Sequence, residues 1–189
     1  LALVICVAPV LALVALAALE PLPPALAEAP DGGVRVLDRN GRVIAVVGSD
    51  GGALASCVSL EEVAPELVSA LIASQDASFW WHPGIDPLAM LRAAGQAVVH
   101  GELVSGASTL TQQLARNVVA RPRTVKGKLR ELAIALRIEA SLDKRQILEE
   151  YLNRVEFGPN LRGVEAASRR YFDKPAGRVD LAEAATLAA

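Results

Sequence analysis

The residues best suited to chemistry stand together in one short stretch, SQDASFWWHPG, from Ser74 to Gly84. This first stretch holds an acid, Asp76, an imidazole, His82, and three aromatic side chains, although aromatic residues make up only 4% of the chain. Directly before the acid stands Gln75, an amide where a titratable group would make chemical sense. An amide exchanges hydrogen bonds but, unlike a carboxylate, takes up no proton at neutral pH. The stretch therefore indicates the edge of an active site and raises the question of whether that site is complete.

A second polar stretch, SGASTLTQQLARN, runs from Ser105 to Asn117. Small residues and hydroxyls come first, and two amides and an arginine follow. Hydroxyl and amide groups both donate and accept hydrogen bonds, so a loop of this composition can wrap a sugar or a phosphate. The alternative is a polar helix start that faces solvent, and the residues alone leave both open.

A third stretch, RPRTVKGKLRE at 121–131, carries basic residues near the start of a predicted helix. Arg123 and Arg130 fall near one face of that helix, where basic groups and the positive end of the helix dipole favour an anion such as a diphosphate. The alternative is an ordinary solvated charged face. Glu131 is either a catalytic carboxylate or the i,i+3 partner of Lys128.

Helical patterns from Pro65 onward position these stretches. Pro65 suits the first turn of a helix, and the apolar stripe that follows it leads to Gln75. Further helix starts are predicted where capping residues precede apolar periodicity, namely at Asp86-Pro87, Thr109 with Gln112, Thr124, Asp143 with Gln146, and Asp180 with Glu183. Upstream, the alternating sequence VRVLDRNGRVIAVV predicts a β-hairpin, with strands at Val34–Asp38 and Val43–Val47 around the turn Asn40-Gly41.

The amino-terminal segment Leu1–Leu19 contains no charged residue. A helix rises about 1.5 Å per residue, so one of this length approaches the roughly 30 Å hydrocarbon core of a bilayer. We predict a transmembrane signal-anchor at 1–19, with a cleaved signal peptide as the alternative, and a catalytic part outside the cytoplasm. Residues 20–33 are predicted as a linker, 34–56 as a hairpin spacer and 57–189 as one domain. The last helix of that domain has no stop signal, so we expect a longer natural chain.

The bulk composition argues against several classes of function. The 189 residues carry a net charge of −2, so the total shows no basic footprint for nucleic acid. His82 and His100 stand apart from any cluster of cysteines or carboxylates, so no metal-ligating motif is predicted. No phosphate-binding glycine loop and no nucleophile elbow occurs in the sequence.

Taken together, five ordered blocks resemble the family 51 glycosyltransferase domain of class A penicillin-binding proteins, and within it the penicillin-binding protein 1C branch. The blocks are QDASFWWHPG, SGASTLTQQLARN, RTVKGKLRE, KRQILEEYLNRVEFG, and RGVEAASRRYFDKP followed by LAEAATLAA. The resemblance spans Pro65 to Ala189. It implies a mainly α-helical, lysozyme-like domain, preceded by a transmembrane helix and a short β-hairpin.

The resemblance also implies a function, the polymerisation of peptidoglycan glycan chains. The implied substrates are lipid II, a disaccharide-pentapeptide carried on undecaprenyl diphosphate, and the growing glycan chain. Other implied partners are the membrane and further proteins of cell-wall synthesis, and no nucleic acid is expected. The implied location is the bacterial inner (cytoplasmic) membrane, with the catalytic domain on its periplasmic side. Magnesium at the diphosphate is the one cofactor that the resemblance suggests.

In the family, the first block reads Glu-Asp-x-x-Phe-x-x-His-x-Gly, and its glutamate is the general base. Here Phe79, His82 and Gly84 match the pattern, whereas Gln75 takes the position of the glutamate. General-base assistance is worth roughly 10²–10⁴ in rate, so the resemblance predicts an impaired enzyme. Glu131 matches the second catalytic glutamate of the family, which is implied to organise the diphosphate or its magnesium.

The remaining site residues are implied to bind the donor sugar or the diphosphate. They are Ser108, Thr109, Gln113, Arg116, Asn117, Arg123, Lys128 and Arg130. Two positions depart from the family pattern. Gly127 stands where an arginine is more frequent, and Ala107 stands where a glycine is frequent.

Several explanations of Gln75 remain open. The chain is an ordinary polymerase with an engineered or erroneous residue, a pseudoenzyme that binds lipid II or a partner protein, or an enzyme that uses Asp76 as its base. The last requires the backbone to reorient, because adjacent helical residues point about 100° apart. Glycoside hydrolases and lytic transglycosylases of lysozyme-like fold form another class, but they need a protonated acid rather than a basic stripe. A purely structural domain would leave the arginines without a ligand.

Overall fold

The structure is a computed structural model, and it describes residues 2–28, 34–40, 43–47, 54–100, 106, 108–119, 122 and 124–189. The described residues form eight α-helices, which are α1 (Ala2–Leu19), α2 (Pro65–Gln75), α3 (Pro87–His100), α4 (Leu110–Val118), α5 (Val125–Glu139), α6 (Lys144–Arg154), α7 (Val164–Phe172) and α8 (Leu181–Ala188). The mainly helical fold class predicted from the sequence is confirmed.

Short strands complete the secondary structure of the described residues. Strands β1 (Val34–Leu37) and β2 (Val43–Val47) form the predicted antiparallel hairpin, and the predicted turn residue Gly41 lies outside the described residues. A second sheet, with strand order β3-β5-β4, was not predicted, and its strands are β3 (Leu54–Ala55), β4 (Glu156–Gly158) and β5 (Leu161–Arg162). Strand β5 pairs in parallel with β3 and antiparallel with β4.

Capping hydrogen bonds confirm the predicted helix starts. Thr124 Oγ1 accepts a hydrogen bond from the N–H of Gly127 at 3.1 Å, at the start of α5. Asp143 and Gln146 exchange two bonds of 2.9 Å, in each of which one side chain accepts from the backbone N–H of the other residue. Helix α8 begins with the same reciprocal arrangement at Asp180. These side chains satisfy N–H groups that have no partner inside the helix.

The apolar amino-terminal segment forms a helix, α1, and this helix packs against α5. Glu20, just beyond the end of α1, accepts hydrogen bonds of 3.1 and 3.3 Å from the guanidinium of Arg130 on α5. In the part of the chain that the structure describes, no helix combines the length and the apolar character needed to cross a membrane.

The chain divides into two compact units, and each unit is assembled from two separate stretches of chain. Unit 1 consists of Leu1–Pro24 and Gln75–Ile147. Unit 2 consists of Ala25–Ser74 and Leu148–Ala189. All three chemically notable stretches of the sequence therefore belong to unit 1, apart from Ser74.

Unit 1 has its core where α4 packs against α5. Leu110 and Leu114 are fully buried and lie one turn apart on α4, and Ala135 and Ile138 are fully buried on α5. Full burial of a leucine side chain contributes about 1.5–3 kcal/mol to stability. The packing fixes α4 beside α5, the two helices that carry most of the predicted site.

Unit 2 has its own apolar core of fully buried residues from α6 and α7, which are Leu148, Tyr151, Leu152 and Val164. The buried guanidinium of Arg154 lies at the end of α6. It donates hydrogen bonds to the carbonyl oxygens of Ala25 at 2.6 Å and Glu28 at 2.7 Å. Arg154 therefore fixes the predicted linker segment within this unit.

Candidate active site

Position 75 is the last residue of α2, and its side chain is half-buried. Gln75 Oε1 accepts a hydrogen bond of 3.4 Å from Nε2 of Gln113 on α4. This contact joins the first sequence stretch to the second, although the two residues are 38 positions apart. A glutamate at position 75 has the same shape and could accept the same bond, so Gln113 would orient the carboxylate.

Asp76, the next residue, is a buried acceptor whose two carboxylate oxygens are both engaged. His82 Nε2 lies 3.0 Å from each oxygen, and the N–H of Leu110 donates to Oδ2 at 2.9 Å. The N–H of Gly84 donates to His82 Nδ1 at 3.1 Å, so Nε2 carries the proton that faces Asp76. A buried carboxylate that already accepts these bonds is poorly placed to take a proton from a substrate. The geometry therefore argues against Asp76 as the base.

The carbonyl oxygen of Gly84 connects the end of the first stretch to the start of α4. Thr109 Oγ1 donates to it at 2.6 Å, and Gln112 Nε2 donates at 3.4 Å. The same Thr109 oxygen accepts from the N–H of Gln112 at 3.2 Å, which is the predicted helix cap. Gly84 has a φ of +82°, which glycine adopts without strain. The structure thus places the buried hydroxyl of Thr109, a predicted substrate contact, between two elements of the fold.

Lys128 on α5 is the centre of a second polar cluster. Its ammonium donates to Ser108 Oγ at 3.3 Å and to Gln112 Oε1 at 3.0 Å, and it pairs with Glu131 one turn further along the helix. The i,i+3 pair that the sequence left open is therefore present. Glu131 is only 3% exposed, whereas the side chain of Lys128 is 39% exposed. The cluster buries its carboxylate and leaves a cation accessible to solvent, which suits an anionic ligand.

The remaining predicted site residues are three arginines and Asn117. Arg116 and Asn117 lie in the last turn of α4, and both are exposed. Arg130 forms an ion pair with Glu20 at 3.1 Å, so the structure engages it at the end of α1 instead of in the Lys128 cluster. Arg123 lies outside the described residues.

The first turn of α5 explains why a glycine occupies position 127. A Cβ atom added there would lie 2.2 Å from the carbonyl oxygen of Pro122. The N–H of Gly127 meanwhile bonds to the cap residue Thr124. A side chain at position 127, such as the arginine frequent in the family, would force this turn to open. The positive character of this helix start comes from its N–H groups and from Lys126 and Lys128.

The described residues do not form a metal site of their own. No group of three or more His, Cys, Asp or Glu side chains within the described ranges could hold a metal ion. The carboxylate of the Lys128 cluster belongs to Glu131, and it is already paired with Lys128. A magnesium ion there would need the oxygens of a bound diphosphate as further ligands.

Comparison with known proteins decides the family. Residues 40–189, which include most of the chain and all of the polar clusters described above, match the sequence model of a family described as Transglycosylase. The chain belongs to the transglycosylase family. The family predicted from the five ordered blocks is therefore confirmed.

The transglycosylase domain is similar to proteins from several bacteria. It is 46% identical over 131 residues to penicillin-binding protein 1C of Escherichia coli (strain K12), covering 69% of this chain and 17% of that protein. It is 41% identical over 155 residues to penicillin-binding protein 1A of Aquifex aeolicus, covering 82% of this chain and 21% of that protein. It is 46% identical over 139 residues to a biosynthetic peptidoglycan transglycosylase of Pectobacterium carotovorum, covering 70% and 54%. The chain thus spans between 17% and 54% of the length of these relatives.

The loop that follows position 75 closes on Asp86, the predicted cap of α3. Ser78 Oγ donates to Asp86 Oδ2 at 2.5 Å, and the N–H of Ala89 donates to Oδ1 at 2.9 Å. These two hydrogen bonds hold the pKa of Asp86 below its ordinary value of 3.8, and the bond from the Ser78 hydroxyl has the larger effect. Trp81, inside the closed loop, is 88% exposed.

Three residues that the sequence did not single out support this loop, and they are Thr111, Glu139 and Lys144. Each is half-buried or buried, and together they link α4, α5 and the start of α6. Thr111 lies in the second block of the family resemblance and Lys144 in the fourth. Membership of these blocks was the one signal in the sequence that could have pointed to the two residues. Residue type and spacing alone gave no indication that their side chains meet.

Proposed function

We propose that this chain is a peptidoglycan glycosyltransferase site built to polymerise lipid II into glycan chains with release of undecaprenyl diphosphate. The proposal rests on one observation. Adjacent residues of α4 contact a cation on one side and the side chain at position 75 on the other. Gln112 contacts the half-exposed cation Lys128, and Gln113 contacts the side chain at position 75. A cation suits a diphosphate leaving group, and a carboxylate at position 75 would suit an acceptor hydroxyl.

The reaction follows from these two features when position 75 is a glutamate. The carboxylate takes the proton of the acceptor sugar hydroxyl while that oxygen attacks the anomeric carbon of the donor. The bond from the anomeric carbon to the diphosphate oxygen breaks, and undecaprenyl diphosphate leaves with the bonding electrons. Lys128, with the predicted contacts Arg116 and Arg123, neutralises the departing negative charge. Attack opposite the leaving group inverts the linkage from α to β.

Glutamine at position 75 removes the proton acceptor and leaves the surrounding geometry in place. Because general-base assistance is worth roughly 10²–10⁴ in rate, the sequence as written should polymerise slower by that order. The bond from Gln113 to Gln75 and the Lys128 cluster are both compatible with ligand binding. The alternative function is therefore a catalytically inactive lipid II-binding or scaffold protein of cell-wall synthesis.

The proposal extends to location and partners. The proposed substrate is lipid-linked, so the domain would act at the periplasmic face of the bacterial cytoplasmic membrane, beside other cell-wall synthesis proteins. The similarity to proteins named penicillin-binding protein 1C and 1A supports this setting. If magnesium is bound, Glu131 and the oxygens of the diphosphate would hold it, and it would offset the negative charge of the leaving group.

The test compares polymerisation and binding of labelled lipid II by the chain as written, by Gln75→Glu, by Glu131→Gln and by Gln146→Glu. Gln146→Glu is the matched control, because it makes the same isosteric change on an exposed helix cap. We expect Gln75→Glu to gain about 10²–10⁴ in kcat with little change in lipid II affinity. Gln146→Glu should gain nothing, and Glu131→Gln should lose activity in the Gln75→Glu background.

Each other outcome selects a different function. If every variant binds lipid II and none polymerises it, the chain is a binding protein. If the chain as written already matches Gln75→Glu, position 75 is not the base. Cleavage of finished glycan strands by Gln75→Glu, without polymerisation, would indicate a glycoside hydrolase or lytic transglycosylase instead.

A further inference from the structure

We infer that Lys144 is a positioning residue that holds the loop 76–84 and thereby sets the orientation of the side chain at position 75. The inference rests on the proposed function, because it assigns Lys144 a part in the same reaction. Lys144 is the first residue of α6, and it is not one of the site residues predicted from the sequence.

The ammonium of Lys144 contacts the loop at two points. It donates a hydrogen bond of 2.7 Å to the carbonyl oxygen of His82, and it lies 4.5 Å from the centroid of the Phe79 ring. Phe79 is fully buried, so the cation–π contact is shielded from water and stronger than an exposed one. His82 in turn holds Asp76, the residue directly after position 75.

Glu139 on α5 fixes the other side of the Lys144 ammonium. Its Oε1 accepts from Lys144 Nζ at 2.7 Å and from Thr111 Oγ1 on α4 at 2.6 Å. A Cβ atom added to Gly84 would lie 2.7 Å from Glu139 Cγ, so the end of the loop lies against the same side chain. Lys144 and Glu139 therefore tie the loop to three helices at once.

These contacts position the loop and residue 75, and they do not bind the substrate. The loop begins next to residue 75, and none of the contacts of Lys144 involves the predicted substrate-binding residues. A misplacement of about 1 Å at a reacting group can lower the rate about 10²-fold. Removal of the ammonium would also leave the Glu139 carboxylate, whose side chain is only 10% exposed, without its counter-charge.

The first readout is catalytic, in the Gln75→Glu background. Lys144→Met should lower kcat about 10–100-fold with a much smaller change in the KM for lipid II, and Lys144→Arg should recover part of the loss. Lys174→Met is the matched control, because Lys174 also pairs with a glutamate at 2.7 Å, with a side chain that is 31% exposed against 22% for Lys144. All rates are measured well below the melting temperature of each variant.

The second readout needs no activity. The two tryptophans of the chain, Trp80 and Trp81, both lie in the loop, and Trp80 packs edge-on against Phe79 with ring centroids 5.1 Å apart. Tryptophan emission and its quenching by acrylamide therefore report on this loop alone. Lys144→Met should increase quenching, while Lys174→Met should not.

The two readouts separate this inference from the proposed function. If Gln75→Glu does not polymerise lipid II, the proposed function fails, and tryptophan quenching still decides whether Lys144 holds the loop. The inference is overturned if Lys144→Met leaves quenching at the parent level. With an active Gln75→Glu, it is also overturned if Lys144→Met lowers kcat no more than Lys174→Met does.

Discussion

Replacement of Asp76 by asparagine distinguishes a structural carboxylate from a catalytic one. The carboxylate accepts from His82 Nε2 through both oxygens and from the N–H of Leu110 through one. Asparagine offers a single oxygen, so its NH₂ group must face one of these donors. A buried donor left without an acceptor costs about 1–3 kcal/mol. In a chain of this length that corresponds to a melting temperature lower by roughly 2–12 °C.

The assay combines thermal unfolding with polymerisation of lipid II at a temperature where both proteins are folded. We expect Asp76→Asn to melt earlier than the parent and, in the Gln75→Glu background, to lower kcat by no more than the about 10–100-fold expected of a displaced loop. Gln75→Glu supplies the comparison, because that change should alter the rate strongly and the melting temperature little.

The opposite pattern would refute the structural interpretation. If Asp76→Asn melts like the parent and abolishes the residual activity of the chain with Gln75, then Asp76 takes the proton and its hydrogen bonds are dispensable. The two interpretations are distinguishable because a structural role mainly changes the melting temperature, whereas a catalytic role abolishes the activity.

Two further predictions concern stability. Gly127→Ala should destabilise the protein by about 1–3 kcal/mol, because its Cβ would lie 2.2 Å from the carbonyl oxygen of Pro122. Gly95 lies on an exposed part of α3, and nothing lies within 4 Å of a Cβ atom added there. Gly95→Ala should therefore stabilise the protein by about 0.5–1 kcal/mol. Equal shifts in melting temperature for Gly127→Ala and Gly95→Ala would contradict the steric argument. Asp86 has a lowered pKa in the folded state, so its stabilisation is complete above 3.8 and is lost as the pH falls through the folded value. The melting temperature of the parent should therefore exceed that of Asp86→Asn at pH 6, and the gap should close as the pH falls through the folded pKa, which lies below 3.8. A gap independent of pH would rule out this linkage.

Local signals in the sequence predicted the helices well. The cap of α4 at Thr109 and the reciprocal bonds between Asp143 and Gln146 depend on residues three positions apart, and both appear in the structure. The β1–β2 hairpin also depends on one local turn. By contrast, the pairing of β3 with β5 joins Leu54 to Leu161 through two-residue strands, which are too short to give a periodic pattern.

The site was predictable in composition and less so in connectivity. Lys128 and Glu131 lie one turn apart, so helical spacing was enough to suggest their pairing. Arg130 fell near the same predicted face, but its partner Glu20 lies 110 positions earlier in the chain, where no spacing rule applies. Asp76 looked like an alternative base because the sequence could not show that the N–H of Leu110 and His82 fill its oxygens.

The two-stretch construction of each unit sets an order of events during translation. Unit 1 has all of its residues once position 147 has left the ribosome, whereas residues 25–74 of unit 2 must wait for 148–189. Contacts such as that between Val58 and Asn153 span 95 positions, so loop closure delays them further. Until then Leu67 and Leu71, which are fully or almost fully buried in the finished protein, lack the second half of their unit. The nascent chain therefore passes through an interval in which half of one unit is a ready target for chaperones, proteases or self-association.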